Sequence, residues 1–181
     1  MKDKYTKFII KGLWIAFILM IIIYILFPFS TISDFFGNVG KVISITVVLM
    51  GMYDKIIWKY NPLEKIPRIM GTYCGKIEYS YNEIADEKNV SMNIKQTLLS
   101  VNVRIKTNEI ISNTIVSDLI EENDQYVLYY TYITNPKSKY SIENPIQYGT
   151  CRIEICSGSS LRGIYWTSRK TIGDIELTKV E

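Results

Sequence analysis

The chain is 181 residues long, carries 21 Lys and Arg against 18 Asp and Glu, and has a formal net charge of +3. It contains no histidine, which removes the commonest general acid/base and the commonest transition-metal ligand, and its three cysteines, Cys74, Cys151 and Cys156, follow no zinc-site spacing. Seven of the basic residues but three of the acidic ones lie at or before Lys59, so the rest is near neutral and offers no basic stripe for a long nucleic acid.

Gly12 to Phe29 is free of charge and approaches the ~20 apolar residues that cross hydrocarbon. Its apolar residues occupy every face, which excludes an amphipathic surface helix, and it is too long for a signal-peptide core and lacks a small-residue cleavage site. A second apolar stretch, Phe35 to Tyr53, is interrupted by Lys41, whose ammonium can snorkel towards headgroups. It is expected to be a second span, with a re-entrant segment as the alternative. Lys2, Lys4, Lys7 and Lys11 flank the first span and Lys55, Lys59, Lys65 and Arg68 follow the second, which predicts both termini on the cytoplasmic side.

Pro62 and Pro67 discourage further helix in the connector. The expected organisation is a two-helix transmembrane anchor over residues 1–60, a linker over 61–67 and a β-domain over 68–181. Beyond the linker the apolar period becomes two. Tyr73, Ile77 and Tyr79 share one side of a strand with Lys76, Glu78 and Ser80 opposite, and Val90, Met92, Ile94, Gln96 and Leu98 alternate likewise. Further strands are expected at 100–107, 110–119, 125–134, 148–156, 161–169 and 174–180. The separating turns are Thr107-Asn108-Glu109, Glu122-Asn123-Asp124, Asn135-Pro136, Ser157-Gly158-Ser159 and an Ile172-Gly173 corner. Short connections imply sequential antiparallel neighbours, and about eight such strands can close on themselves, so the fold class is all-β, an up-and-down antiparallel barrel. Pro136 to Pro145 is long enough for a lid or rim.

Three local motifs and the order of parts are similar to the membrane-anchored two-transmembrane β-barrel effectors of bacterial CBASS antiphage systems. The motifs are Pro67-x-x-x-Gly71-x-Tyr73-x-Gly75; Ile94-Lys95-Gln96-Thr97 leading into Val101-x-Val103-x-Ile105; and Gly163-x-Tyr165-x-Thr167-x-Arg169 followed by Gly173-x-Ile175. Tyr73, where the family usually has tryptophan, and Leu98, where an aromatic is common, depart from the pattern. The resemblance implies a lipocalin-like barrel that senses a cyclic dinucleotide made by a cognate nucleotidyltransferase, with no other cofactor. It also implies self-association in the bacterial inner membrane and no enzymatic activity. A membrane-tethered carrier or sensor of a small apolar ligand is the competing reading.

Under the resemblance, Tyr73, Gln96, Tyr165, Thr167 and Arg169 are the candidate ligand residues. Tyr165 offers a π-face, Thr167 a hydroxyl and Arg169 a planar two-donor cation for a phosphate. Three of them have a second reading: Arg169 as a rim arginine paired with Asp174 or Glu176, Gln96 as an amide satisfied by a neighbouring strand or a buried water, and Tyr73 as a plug of the barrel. Arg104 and Lys106 are expected to be solvated, as are the acidic residues Asp118, Glu121, Glu122 and Asp124 at a hairpin tip. Ser157 to Ser160 reads as a plain turn or a phosphate-binding nest.

Overall fold

The structure, a computed structural model, describes residues 2–81, 84–157 and 159–180; Gly158, on which the nest reading depends, lies outside them. The chain forms two compact units, Met1–Glu64 with Thr97–Leu99, and Lys65–Gln96 with Ser100–Glu181.

In the first unit, α1 (Lys2–Leu26) and α2 (Ile32–Lys55) are both long and apolar enough to cross a membrane. Pro28, which cannot donate to a helical ladder, lies in the break between them. Thr31 starts the next helix with a capping box. The Thr31 hydroxyl accepts from the Asp34 N–H at 3.1 Å and the Asp34 carboxylate accepts from the Thr31 N–H at 3.0 Å. Lys41 does not interrupt α2; its ammonium donates to Asn38 Oδ1 at 3.1 Å, three residues back on the same helix. Glu64 accepts from Tyr53 Oη at 2.6 Å and pairs with Lys11, while Asn61 Nδ2 donates to Tyr53 Oη at 2.7 Å. Thr97–Leu99 belongs to this unit, where the N–H groups of Leu98 and Leu99 donate to the carbonyl and carboxylate of Asp54.

The second unit is a closed antiparallel barrel in which each strand pairs with the next and the last with the first. Its strands are β1 (Gly71–Tyr81), β2 (Ile84–Gln96), β3 (Val101–Lys106), β4 (Ile110–Glu122), β5 (Gln125–Pro136), β6 (Tyr148–Ser157), β7 (Ser160–Thr167) and β8 (Ile172–Lys179). Alternation sets the inner face: Val101, Val103 and Ile105 are buried on β3 while Asn102, Arg104 and Lys106 are exposed. Asn123 and Asp124, both at positive φ, make the two-residue β4–β5 turn. There Glu122 accepts from Tyr129 Oη at 2.8 Å and Arg152 Nη2 at 3.0 Å.

Several strand ends differ from the sequence expectation: β4 runs on to Glu122 and β5 to Pro136, so Asn135-Pro136 pairs with Ile110-Ile111 as strand instead of forming a turn. β2 stops at Gln96, so Leu98 lies in a turn. β7 stops at Thr167, and the reversal runs through Ser168–Thr171 with Lys170 at φ +63°, so Ile172-Gly173 is strand rather than corner. The Lys170 N–H donates to the Thr167 carbonyl at 3.0 Å, which ends β7 two residues early and leaves Arg169 in the turn.

The β3–β4 seam closes partly through side chains. After three backbone-paired positions Thr114 lies opposite Val103, whose N–H and carbonyl are both satisfied by the Thr114 hydroxyl, at 2.9 and 2.7 Å, and a bulge in β4 follows between Thr114 and Val116.

The lumen is filled in layers. Tyr73, Met92, Leu128, Ile153 and Leu161 are buried in one half, a packed floor of the type expected for eight strands. The other half is different: Tyr132, Tyr165 and Cys151 face a space that opens beside the β5–β6 connection.

Candidate functional site

The open half of the lumen holds a cavity of about 350 Å³, within the usual range for a small-molecule site. Its inner wall is apolar and aromatic, with Ile77, Ile105, Tyr132, Tyr165 and Ile175. The rim is polar, with Lys88, Glu109, Thr167, Arg169 and part of the β5–β6 connection.

Two glycines set the tyrosines in place. Tyr132 pairs with Gly149 across β5 and β6, and a Cβ at Gly149 would lie 2.3 Å from its Cζ. Tyr165 pairs with Gly173 across β7 and β8, where a Cβ would lie 2.6 Å from its Cε1. Each ring therefore lies over a residue without a side chain, as aromatic residues do when they cover a strand glycine. Burial raises both phenol pKa values, so the rings stay neutral hydrogen-bonding groups. The Cys151 thiol is likewise pushed up to about 12 by burial, against a smaller lowering from the neighbouring Tyr130 hydroxyl. It is a packing thiol, not a nucleophile.

The rim cations are held by the loop around them. Lys88 Nζ donates to Glu109 Oε2 at 2.8 Å, and Asn144 Nδ2 donates to the same oxygen at 2.9 Å. Burial lowers the Lys88 pKa, but hydrogen bonds with Glu109 and Tyr79 outweigh it and the net shift is upward, so the ammonium is charged at neutral pH. Arg169 Nη1 donates to the Glu143 carbonyl at 2.7 Å. Together with the Lys137 N–H, which donates to the Glu109 carbonyl at 2.9 Å, these bonds draw residues 137–147 across the rim.

Of the five residues singled out in the sequence, Tyr165, Thr167 and Arg169 line this cavity. Glu176, one of the acids considered as a partner for Arg169, pairs instead with Arg162 at 3.0 Å. Tyr73 and Gln96 do not reach the cavity. Tyr73 is wholly buried in the floor and donates to the Ile69 carbonyl at 3.0 Å. Gln96 Oε1 accepts from the Ile69 N–H at 2.9 Å and its Nε2 donates to the Pro67 carbonyl at 2.8 Å. The alternation of β1 and β2 places both residues inside the barrel, but at the filled end.

Lys88, Glu109 and Gln147 are cavity residues that the sequence reading missed. Lys88 was within reach, because it stands two positions before Val90 on the inward face of β2 and breaks an apolar alternation. Glu109 and Gln147 sit at a turn and in a loop, where no period marks a facing direction. Among the described residues no group of three or more His, Cys, Asp or Glu could hold a metal ion.

The family model for the Cap15 cyclic dinucleotide receptor domain matches residues 64–179, which takes in all eight strands. CD-NTase-associated protein 15 of Staphylococcus schleiferi is 35% identical over 184 residues, an alignment that covers 100% of both chains. With two helices able to cross a membrane ahead of a closed barrel that matches the receptor domain, the chain belongs to the Cap15 family of CBASS effectors.

Proposed function

We propose that the cavity is the sensor of an antiphage effector: it binds a cyclic dinucleotide from a cognate nucleotidyltransferase, and binding drives the transmembrane hairpins to oligomerise, which disrupts the inner membrane and kills the infected cell. In this reading residues 1–60 are the anchor, 61–67 the linker and 68–181 a cytoplasmic barrel, with both termini cytoplasmic. The observation that carries it is the pairing of two cations, Lys88 and Arg169, with an aromatic inner wall in one cavity of a receptor-family barrel. A cyclic dinucleotide presents phosphodiesters and flat bases together, and the rim and wall match these in turn.

Tyr165 supplies a stacking face, Thr167 a hydroxyl and Arg169 a guanidinium to the ligand. Tyr73 and Gln96 act as parts of the floor. Ligand favours assembly only as far as the assembled state binds it more tightly than the single chain does. Asn38 and Lys41 in α2 are polar groups within a candidate span, the kind of residues that line a polar path when helices gather.

The test is calorimetric titration of the full chain in lipid nanodiscs with cyclic dinucleotides, beside Arg169→Ala. Saturable binding that the variant weakens by about tenfold or more, the worth of a charged hydrogen bond, is expected. Ligand-dependent release of dye from vesicles carrying the protein should accompany it. Absence of binding across the panel by folded protein overturns the sensor reading, and binding without dye release overturns the membrane step.

A further inference from the structure

Gln96 and Gln147 are both buried, but their side chains are used differently. Gln96 has both ends of its carboxamide committed to backbone. Gln147 is 7% exposed and lines the cavity, yet only its backbone is engaged. Its N–H donates to Thr134 Oγ1 at 2.9 Å and its carbonyl accepts from the Thr134 N–H at 2.9 Å. Among the described residues its carboxamide has no protein partner. A carboxamide that lines the cavity without a protein partner leaves its donor and acceptor to whatever occupies that space.

The surroundings indicate what that is. Gln147 is the root of β6, two residues before Gly149, on which the ring of Tyr132 lies. Ser112, Thr134 and Gln147 form a row across adjacent chain segments, because Ser112 pairs with Thr134 and Thr134 bonds to Gln147. A donor and an acceptor side by side thus stand at the edge of a slot walled by Tyr132 and Tyr165. Phosphate recognition would need cations, and those are elsewhere on the rim, at Lys88 and Arg169.

We propose that Gln147 reads the major-groove edge of a nucleobase held against these tyrosines, and that it selects adenine, which presents a donor, N6–H, beside an acceptor, N7, on that edge. A carboxamide makes two bonds to that edge. Guanine shows two acceptors on the corresponding edge and gains less. The inference rests on the cyclic dinucleotide reading of the cavity and adds the residue that chooses the base.

The experiment titrates the full chain in nanodiscs with cyclic di-AMP, cyclic GMP–AMP and cyclic di-GMP, for wild type, Gln147→Met and Gln147→Glu. Melting temperatures check that each variant folds; Met keeps the volume without adding a buried charge. Wild type should prefer the adenine-bearing ligands. Gln147→Met should lose about tenfold or more in affinity for them, the discrimination expected of one two-bond contact. Gln147→Glu, which only accepts, keeps one bond to the adenine N6–H and should lose affinity for the adenine-bearing ligands without gaining any for cyclic di-GMP, whose N7/O6 edge offers two acceptors. Wild-type preference for cyclic di-GMP, or unchanged affinities and preference in both variants, overturns this inference and leaves the sensor reading standing. Failure of all three ligands to bind wild type overturns both.

Discussion

Gln96 and Ile69 are joined by a 2.9 Å hydrogen bond from the Ile69 N–H to the Gln96 side chain, 27 residues apart in sequence. The other end of the same carboxamide holds Pro67. The segment entering β1 is thus fastened to the end of β2 by one buried side chain instead of by a ladder.

Replacing Gln96 with leucine should therefore cost stability and leave the cavity alone. The buried Ile69 N–H would lose its acceptor, a penalty of about 1–3 kcal/mol. Chemical denaturation of the full chain in detergent should show that loss, while the affinity for a bound cyclic dinucleotide, measured well below the melting point, should not change. Loss of affinity at unchanged stability would return Gln96 to the ligand site.

Gly149 and Gly173 should separate binding from folding. The three atoms nearest a Cβ at Gly149 all belong to the Tyr132 side chain, with Cζ at 2.3 Å and Oη at 2.4 Å, so the ring must swing aside, towards the cavity it lines. A Cβ at Gly173 meets the Glu78 backbone carbonyl at 2.4 Å as well as the Tyr165 ring, and a carbonyl in a strand has nowhere to go. Gly149→Ala is expected to weaken ligand binding with a modest change in melting temperature. Gly173→Ala should destabilise the barrel by about 1–3 kcal/mol, the range for forcing extra volume into a packed site.

Thiol reactivity should divide the cysteines in two. Cys74 and Cys156 are exposed, while Cys151 is buried in the lumen with its pKa raised to about 12. Iodoacetamide at about pH 8, near the ordinary thiol pKa, should modify Cys74 and Cys156 in the folded chain, and all three after denaturation, by intact mass. Rapid modification of Cys151 in the folded protein would mean that the lumen opens far more freely than its packing allows.

Acid should loosen the junction after α2. Burial raises the Glu64 pKa, and hydrogen bonds from Lys11 and Tyr53 outweigh that, so the net shift is downward. A carboxyl depressed in the folded state contributes stability that is fully present above its unfolded value near 4.5 and is lost as pH falls through the lower folded value. Hydrogen exchange at residues 61–66 should accordingly be flat from neutral pH to about pH 5 after correction for the intrinsic rate, and rise below it. Glu64→Gln should remove that acid-dependent rise.

Much of the barrel was legible because its signals are local. A period of two gave the strands, and Asn123-Asp124 and Ser157 to Ser160 marked reversals; sequential hairpins then leave little choice of topology. The site was less legible, for a geometric reason. Alternation tells which side of the sheet a residue faces but not how far along the barrel axis it sits. Tyr73 and Tyr165 both point inward, yet one is in the floor and the other in the cavity wall. Depth depends on shear and register across all eight strands, a non-local property. Gln147 follows Pro145 and Ile146 in a stretch without periodicity, so neither its burial nor its free carboxamide was marked in the sequence.

Under the proposed function, the Arg169–Glu143 bond is an internal competitor for the ligand. In the sensor reading, a phosphate that takes the Arg169 Nη1 donor replaces the carbonyl bonded to it, so at that donor only the difference between the two contacts favours binding. A mononucleotide displaces the loop for one phosphate and one base, whereas a cyclic dinucleotide brings two of each to bear on the same displacement. If the cavity is the sensor proposed above, the resting loop sets a threshold against monomeric nucleotides, and selectivity begins with a contact the protein makes to itself.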